Sequence, residues 1–190
     1  MADERIDLPK PKRRKLFFCK QVDQESIEEL TKQIININEN DDYLMKLYKL
    51  HDLDYTPQPI EIYIDSYGGY VYQILGLVGI MENSKTPIHT ICTGAAMSCG
   101  FIMLICGHKR FCYKHGTPLY HQVSAGTVGT IQDMEEYVGE VKRLQDKMEE
   151  LTIKKTNIPK KELEKMRKRK IDWYMTAEEA LKMGVIDEIV

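Results

Sequence analysis

The sequence predicts an α/β fold with a largely parallel sheet, and three observations carry that expectation. Short apolar strands alternate with helices, small-residue turns separate them, and the unit recurs through the middle of the chain. The first unit is the strand "IEIYIDS" (60–66), the pair Gly68–Gly69, and the helix "VYQILGLVGIMENS" (71–84). Ile60, Ile62 and Ile64 alternate on the strand, and Tyr63 makes it apolar enough for burial on both faces. The second unit is the strand "IHTICTG" (88–94), a small-residue turn and the helix "SCGFIMLICG" (98–107). The third begins with "KRFCYKHGTPLYHQV" (109–123), two short strands around a His-Gly-Thr-Pro turn.

Elements on either side follow from local patterning. Residues 1–15 are polar, contain Pro9 and Pro11, and predict a flexible N-terminal arm ahead of a single domain over 16–190. "LFFC" (16–19) reads as a strand. Ile27, Leu30, Ile34 and Ile37 recur at helical spacing after it, with Asp23 or Ser26 available as cap. Residues 38–57 are amphipathic with polar edges and read as a helical or looped insertion ending at Pro57 and Pro59. Over 130–155, Ile131, Met134, Val138, Val141, Leu144, Met148 and Leu151 form a near-heptad stripe on a charged helix. A stripe that long either covers the subunit's own core or packs on a partner copy, and its length favours self-association. "TAEEALKMGVIDEIV" closes the chain as a capped helix, a Gly184 C-cap and a final strand.

Composition bounds the function. A chain of 190 residues supports one domain with a sizeable core. A net charge of −2 gives no global field for nucleic acid or an acidic membrane, and the local run "KPKRRK" (10–15) reads as a solvated tail. The five cysteines are odd in number and match no zinc spacing, so reduced thiols in a cytoplasmic setting and no metal are expected. The N-terminus lacks an apolar signal-peptide core, and the longest apolar run, "FIMLIC" (101–106), is too short to span a bilayer.

One constellation can carry chemistry. Ser98 stands among Ala95, Ala96 and Gly100 where a strand gives way to a helix, and a nucleophile approached by a carbonyl needs such small flanks. A buried core serine is the alternative reading of Ser98 taken alone. Gly68 and Gly69 follow a parallel strand, at the end where ligand sites of open α/β sheets lie. The Gly69 amide and the amide after the nucleophile, that of Cys99, suit an oxyanion hole; a plain tight turn is the alternative. Among the histidines, His121 ends the strand "TPLY" and precedes a glycine-containing extended segment, where a base would sit. Asp172 follows a lysine and arginine cluster, and orienting carboxylate and salt-bridge partner are both open to it.

Taken together, these stretches resemble the ClpP family of serine endopeptidases, the proteolytic subunits of Clp proteases. "YIDSYGGYVYQILGLVGIM" is similar to that family's strand, glycine turn and helix. "TGAAMSCGFIMLICGHKRFCYKHGTPLYHQV" with the following helix is similar to its nucleophile turn, His-Gln strand and handle helix, and "DWYMTAEEALKMGVIDEIV" to its C-terminal signature. The resemblance implies the ClpP/crotonase-type fold with a handle helix near 130–155, and a Ser98, His121, Asp172 triad with Gly69 and Cys99 as backbone oxyanion donors. It further implies an extended substrate pairing beside Gly68, Gly69, Tyr70, Ser124 and Ala125. Partners implied are unfolded polypeptides, further copies in two stacked heptameric rings, and a Clp-type ATPase that alone uses ATP, with no cofactor in this chain. Tyr67 and Val123 replace prolines of the family pattern and Met97 replaces an alanine, changes that bear on the groove rather than on the reacting groups. The N-terminal arm lacks the family's apolar axial-loop sequence, and the 38–57 stretch is extra. A crotonase-type acyl-CoA enzyme and a non-proteolytic ring subunit are the rival readings, and the Ser-His-Asp set speaks against both.

Overall fold

A computed structural model describes Pro9, Pro11 and residues 14–190. Most of the expected N-terminal arm lies outside the described residues. Its last two residues are anchored: Arg14 is buried and Lys15 opens the first strand.

Five strands form a parallel path in the order β1 (Lys15–Phe18), β2 (Ile60–Ser66), β3 (Ile88–Met97), β4 (Lys109–Cys112) and β7 (Glu188–Ile189). Two more branch from it. Strand β5 (Thr117–Tyr120) runs parallel to β3, and β6 (Trp173–Tyr174) runs antiparallel to β5. The fork lies within β3, whose residues 89–92 pair with β4 and whose residues 95–97 pair with β5. Asp65 Oδ1 accepts the Ala95 N–H at 2.8 Å, and the β2–β3 register slips between Ile64 and Ser66. Gly94 is required there, because a Cβ would lie 2.7 Å from Asp65 Oδ1. The small residues expected to form a turn after "IHTICTG" are therefore the second half of a longer strand.

The helices are α1 (Gln24–Leu50), α2 (Val71–Glu82), α3 (Cys99–Ile105), α4 (Ile131–Lys155), α5 (Lys160–Arg169) and α6 (Ala177–Lys182). Asp23 and Ser26 share the α1 cap, each side chain accepting the other's backbone N–H. Helix α1 continues without a break to Leu50, so most of the 38–57 stretch is its C-terminal half. The reason is that this half has its own buried face: Asp41 and Leu44 are buried, and Asn38 Oδ1 accepts the N–H groups of Lys85 and Thr86. Helix α5 escaped the periodicity reading because Leu163 and Met166 are its only buried residues in a lysine-rich segment. Ile60, Ile62, Ile64, Ile74, Leu77, Met81, Phe101 and Met103 fill the core between sheet and helices. No helix among the described residues is long and apolar enough to cross a membrane.

A buried ion pair ties the chain's entry to this core. The Arg14 guanidinium forks onto Asp41, with Nη1 donating to Oδ2 at 2.7 Å, and Tyr55 and Thr86 also donate to the same carboxylate. Burial pushes the Asp41 pKa up, but the hydrogen bonds from Arg14, Thr86 and Tyr55 outweigh it and hold it below the usual carboxylate value. The pair's stability is thus present above the unfolded pKa near 3.8 and is lost as pH falls through the lower folded value. Removing one partner strands the other charge. Asp41→Ala is expected to cost about 3–5 kcal/mol in urea unfolding at neutral pH, and an unchanged midpoint would show that water replaces the carboxylate.

Candidate active site

Ser98 is the last residue before α3 and adopts φ 54°, ψ −117°. Positive φ in a residue other than glycine costs about 1–3 kcal/mol and persists only where its surroundings enforce it. Here the Ser98 N–H donates to Leu119 O at 3.0 Å on β5, and the Ser98 carbonyl accepts the Ile102 N–H at 3.2 Å in α3. Gly100 permits the close packing of α3 on β2, since a Cβ there would lie 2.9 Å from Ser66 O. The hydroxyl is thereby displayed at a tight strand-to-helix turn.

The glycine pair closes on this turn from β2. A Cβ on Gly68 would sit 2.7 Å from Ser98 Cβ and 2.7 Å from Met97 O, and Gly68 itself has φ 98°. A Cβ on Gly69 would sit 2.1 Å from Val22 O. Val22 bridges Gly69 in parallel: its N–H donates to Gly68 O and its carbonyl accepts the Tyr70 N–H, both at 2.8 Å. The Gly68 carbonyl and the Tyr70 amide are therefore already engaged on that edge.

A cavity of about 60 Å³ brings most of the expected residues together. Gly69, Ser98, Cys99, His121 and Ser124 line it, with Val71, Ile102, Tyr120, Val123 and Met148 as its apolar wall. Gly68 faces an adjoining depression, while Tyr70 and Ala125 are exposed and outside the cavity lining. The apolar wall went unremarked in the sequence, although Met148 lay on the α4 stripe and Tyr120 and Val123 flank His121. His121 Nδ1 lies 3.7 Å from Asp172 Oδ1, beyond hydrogen-bond length, and the Asp172 side chain is 57% exposed. His115, by contrast, is exposed in its turn, away from the cavity.

Cys99 is disarmed as a rival nucleophile. Burial raises its thiol pKa, an effect that hydrogen bonding to the Gly69 backbone and the Ser98 hydroxyl offsets only in part, and its Sγ donates to Gly69 O at 3.2 Å. Burial also pushes the Tyr120 hydroxyl up to about 12, so it stays protonated beneath the cavity.

The glycine contacts yield a direct prediction. Gly68→Ala is expected to displace the Ser98 turn and abolish reaction of the serine with a fluorophosphonate; undiminished labelling would mean the turn yields freely.

Comparison with known proteins places the chain in a family. The family model described as Clp protease matches residues 10–190. The chain is also 37% identical, over 143 residues, to the ATP-dependent Clp protease proteolytic subunit of Deinococcus radiodurans, covering 74% of this chain and 69% of the relative. With its forked parallel sheet and its serine at a strained strand-to-helix turn, the chain belongs to the Clp protease family, a family of serine-type peptidases.

Proposed function

We propose that this chain is the peptide-cleaving subunit of a self-compartmentalising protease, with Ser98 as nucleophile, His121 as general base and Asp172 as the carboxylate orienting it. The observation that carries the reading is the cavity shared by a strained serine and His121, with the Asp172 carboxylate 3.7 Å from the imidazole Nδ1. In the first step Ser98 Oγ bonds to the scissile carbonyl carbon while its proton passes to His121 Nε2. His121 then returns that proton to the leaving amine as the C–N bond breaks. Water hydrolyses the acyl-serine by the same route and restores the hydroxyl. The amides of Gly69 and Cys99 stabilise the oxyanion, and the apolar wall takes the side chain preceding the cleaved bond. An extended substrate lies along the glycine turn and the exposed stretch at Ser124 and Ala125. Every group in this cycle is a side chain or backbone amide, so the chemistry draws on no cofactor in this chain.

Assembly completes the site in this reading. The 3.7 Å gap between His121 and Asp172 closes when subunits lock into two stacked heptameric rings. Leu144, Met148 and Leu151 of α4 are buried in their own subunit, but Ile131 is 76% and Val138 48% exposed, with Met134 beside them. That uncovered half of the stripe packs on a neighbouring copy. The enclosed chamber restricts cleavage to unfolded chains and peptides, delivered by a Clp-type ATPase that alone consumes ATP. An open depression of about 240 Å³, lined by Tyr63, Ile91, Phe111, Tyr113 and Val190 together with Glu61 and His89, supports docking of such a partner. The setting is the cytoplasm, where Cys19 and the four buried cysteines remain thiols.

Hydrolysis of a short fluorogenic peptide tests the triad. Ser98→Ala should lower the rate by about a million-fold, His121→Ala should be comparably severe and His115→Ala mild. Asp172→Asn should cost about ten-thousand-fold through the wrong imidazole tautomer. Near-normal cleavage by Ser98→Ala, or equal losses at the two histidines, would refute these roles.

Assembly is tested separately by sedimentation. Ile131→Asp with Val138→Asp should split the particle and lower peptidase activity together, whereas a large particle of unchanged size would place the ring contact elsewhere.

A further inference from the structure

The segment that carries His121 is held to its subunit by very little. It leaves the sheet after Tyr120 and runs without regular structure to Thr130. Among the described residues, one hydrogen bond ties residues 122–129 to the rest of the chain: the Val123 N–H donates to Gln145 Oε1 at 2.7 Å. The same glutamine reaches the other flank of His121. Its Nε2 donates to Glu149 Oε1 at 2.9 Å and, at 3.4 Å, to the Tyr120 hydroxyl.

Gln145 is out of character with its neighbours. It lies on the buried face of α4 with Leu144, Met148 and Leu151, where another apolar residue would pack without needing partners. Gln145 and Glu149 are each only 6% exposed, and a buried amide or carboxylate costs stability unless every polar atom is satisfied. The satisfaction has one solution. The Val123 N–H can only donate and the Glu149 carboxylate can only accept, so the amide oxygen must face Val123 and the amide nitrogen Glu149. Glu149 is braced in turn by Arg167 Nη1 of α5 at 3.4 Å, which also pairs with Asp146 at 3.3 Å. Helix α5 ends at Arg169, shortly before Asp172. The connection therefore runs from the His121 segment through α4 to the element that delivers Asp172.

We propose that Gln145 is a positioning residue that sets His121 over the cavity, gripping Tyr120 and Val123 on either side of it, with Glu149 and Arg167 fixing the direction of its amide. The inference rests on His121 being the base, as argued above. Gln145 touches neither substrate nor the reacting atoms. Its effect is confined to how well the imidazole is placed, so it acts on turnover rather than on substrate affinity.

The test uses the full-length assembled protein, with fluorophosphonate labelling of Ser98 and the kcat and KM of peptide cleavage measured from mildly acidic to alkaline pH. Gln145→Met conserves volume beside Leu144 and Met148 but leaves the Val123 N–H without an acceptor. It should lower kcat and the labelling rate by about a hundred-fold with KM little changed. Gln145→Glu sets a second carboxylate against Glu149, in a site also faced by Tyr120, Arg167, Asp146 and His121. The two carboxylates raise each other's pKa, so at lower pH they share a proton that stands in for the amide N–H, and at higher pH both ionise and repel. The alkaline side of the activity profile should therefore collapse. Exchanging the pair, Gln145→Glu with Glu149→Gln, gives the Val123 N–H its acceptor and restores a donor–acceptor pair between the two positions without a shared proton, though it gives up the ion pair of Glu149 with Arg167, and should return most of the alkaline activity. Parent-like kcat and pH profile in Gln145→Met and Gln145→Glu, or an exchanged pair that stays inactive while folded and assembled, would overturn the proposal. Should Gln145→Met fail to fold, the exchanged pair still decides it. Absence of Ser98 labelling in the parent would instead strike the catalytic reading itself, and this one with it.

Discussion

The fork in β3 is the constraint on which the rest of the molecule depends. A parallel strand that pairs with one neighbour throughout would carry its two flanking segments away in register. Here the Asp65 carboxylate takes the Ala95 N–H, Gly94 makes room for it, and β3 changes partner from β4 to β5 within a few residues. The first wing leads to β7 and closes the core. The second carries Ser98 at the end of β3 and His121 at the end of β5, side by side because Ala95, Ala96 and Met97 are registered with Thr117, Pro118 and Leu119.

Close approach of backbones follows from that fork. Ser98 is held at positive φ by a hydrogen bond to Leu119, which exists only because β5 lies beside the second half of β3. Gly68 fits against Ser98 Cβ, and Gly69 fits against Val22, because neither has a side chain. The strain at the serine is thus offset by the sheet, the glycine pair and the packing of Gly100 on Ser66 together, and removing any one of them loosens the others. The Cys99 thiol is engaged by the Gly69 carbonyl in the same contact, which leaves the serine as the hydroxyl presented to the cavity.

Helix α4 joins two environments in one element. Its C-terminal half is part of the subunit core and carries the polar pair Gln145 and Glu149 under the His121 segment. Its N-terminal half presents Ile131, Met134 and Val138 to solvent in the isolated subunit. The two halves belong to one continuous helix, so the exposed apolar face and the polar pair beneath the His121 segment share one rigid body.

Much of this was legible in the residues themselves. Strand–turn–helix alternation identified β2 with α2 and β3 with α3, because alternating isoleucines and small-residue turns report burial and chain reversal locally. The Asp23–Ser26 cap, the Thr176 cap and the Gly184 stop are likewise decided within a few residues. Ser98, His121 and the Gly68–Gly69 pair stood out because small flanks and strand ends are visible in one dimension. Tertiary contacts decided the remainder. Helix α1 runs on to Leu50 because Asp41 meets Arg14, Tyr55 and Thr86. The residues after Gly94 are strand rather than turn because a carboxylate on another strand replaces a ladder bond. Gln145 became meaningful only when α4 was seen to lie beneath Val123, since hydrogen bonds between distant segments leave no period in a sequence.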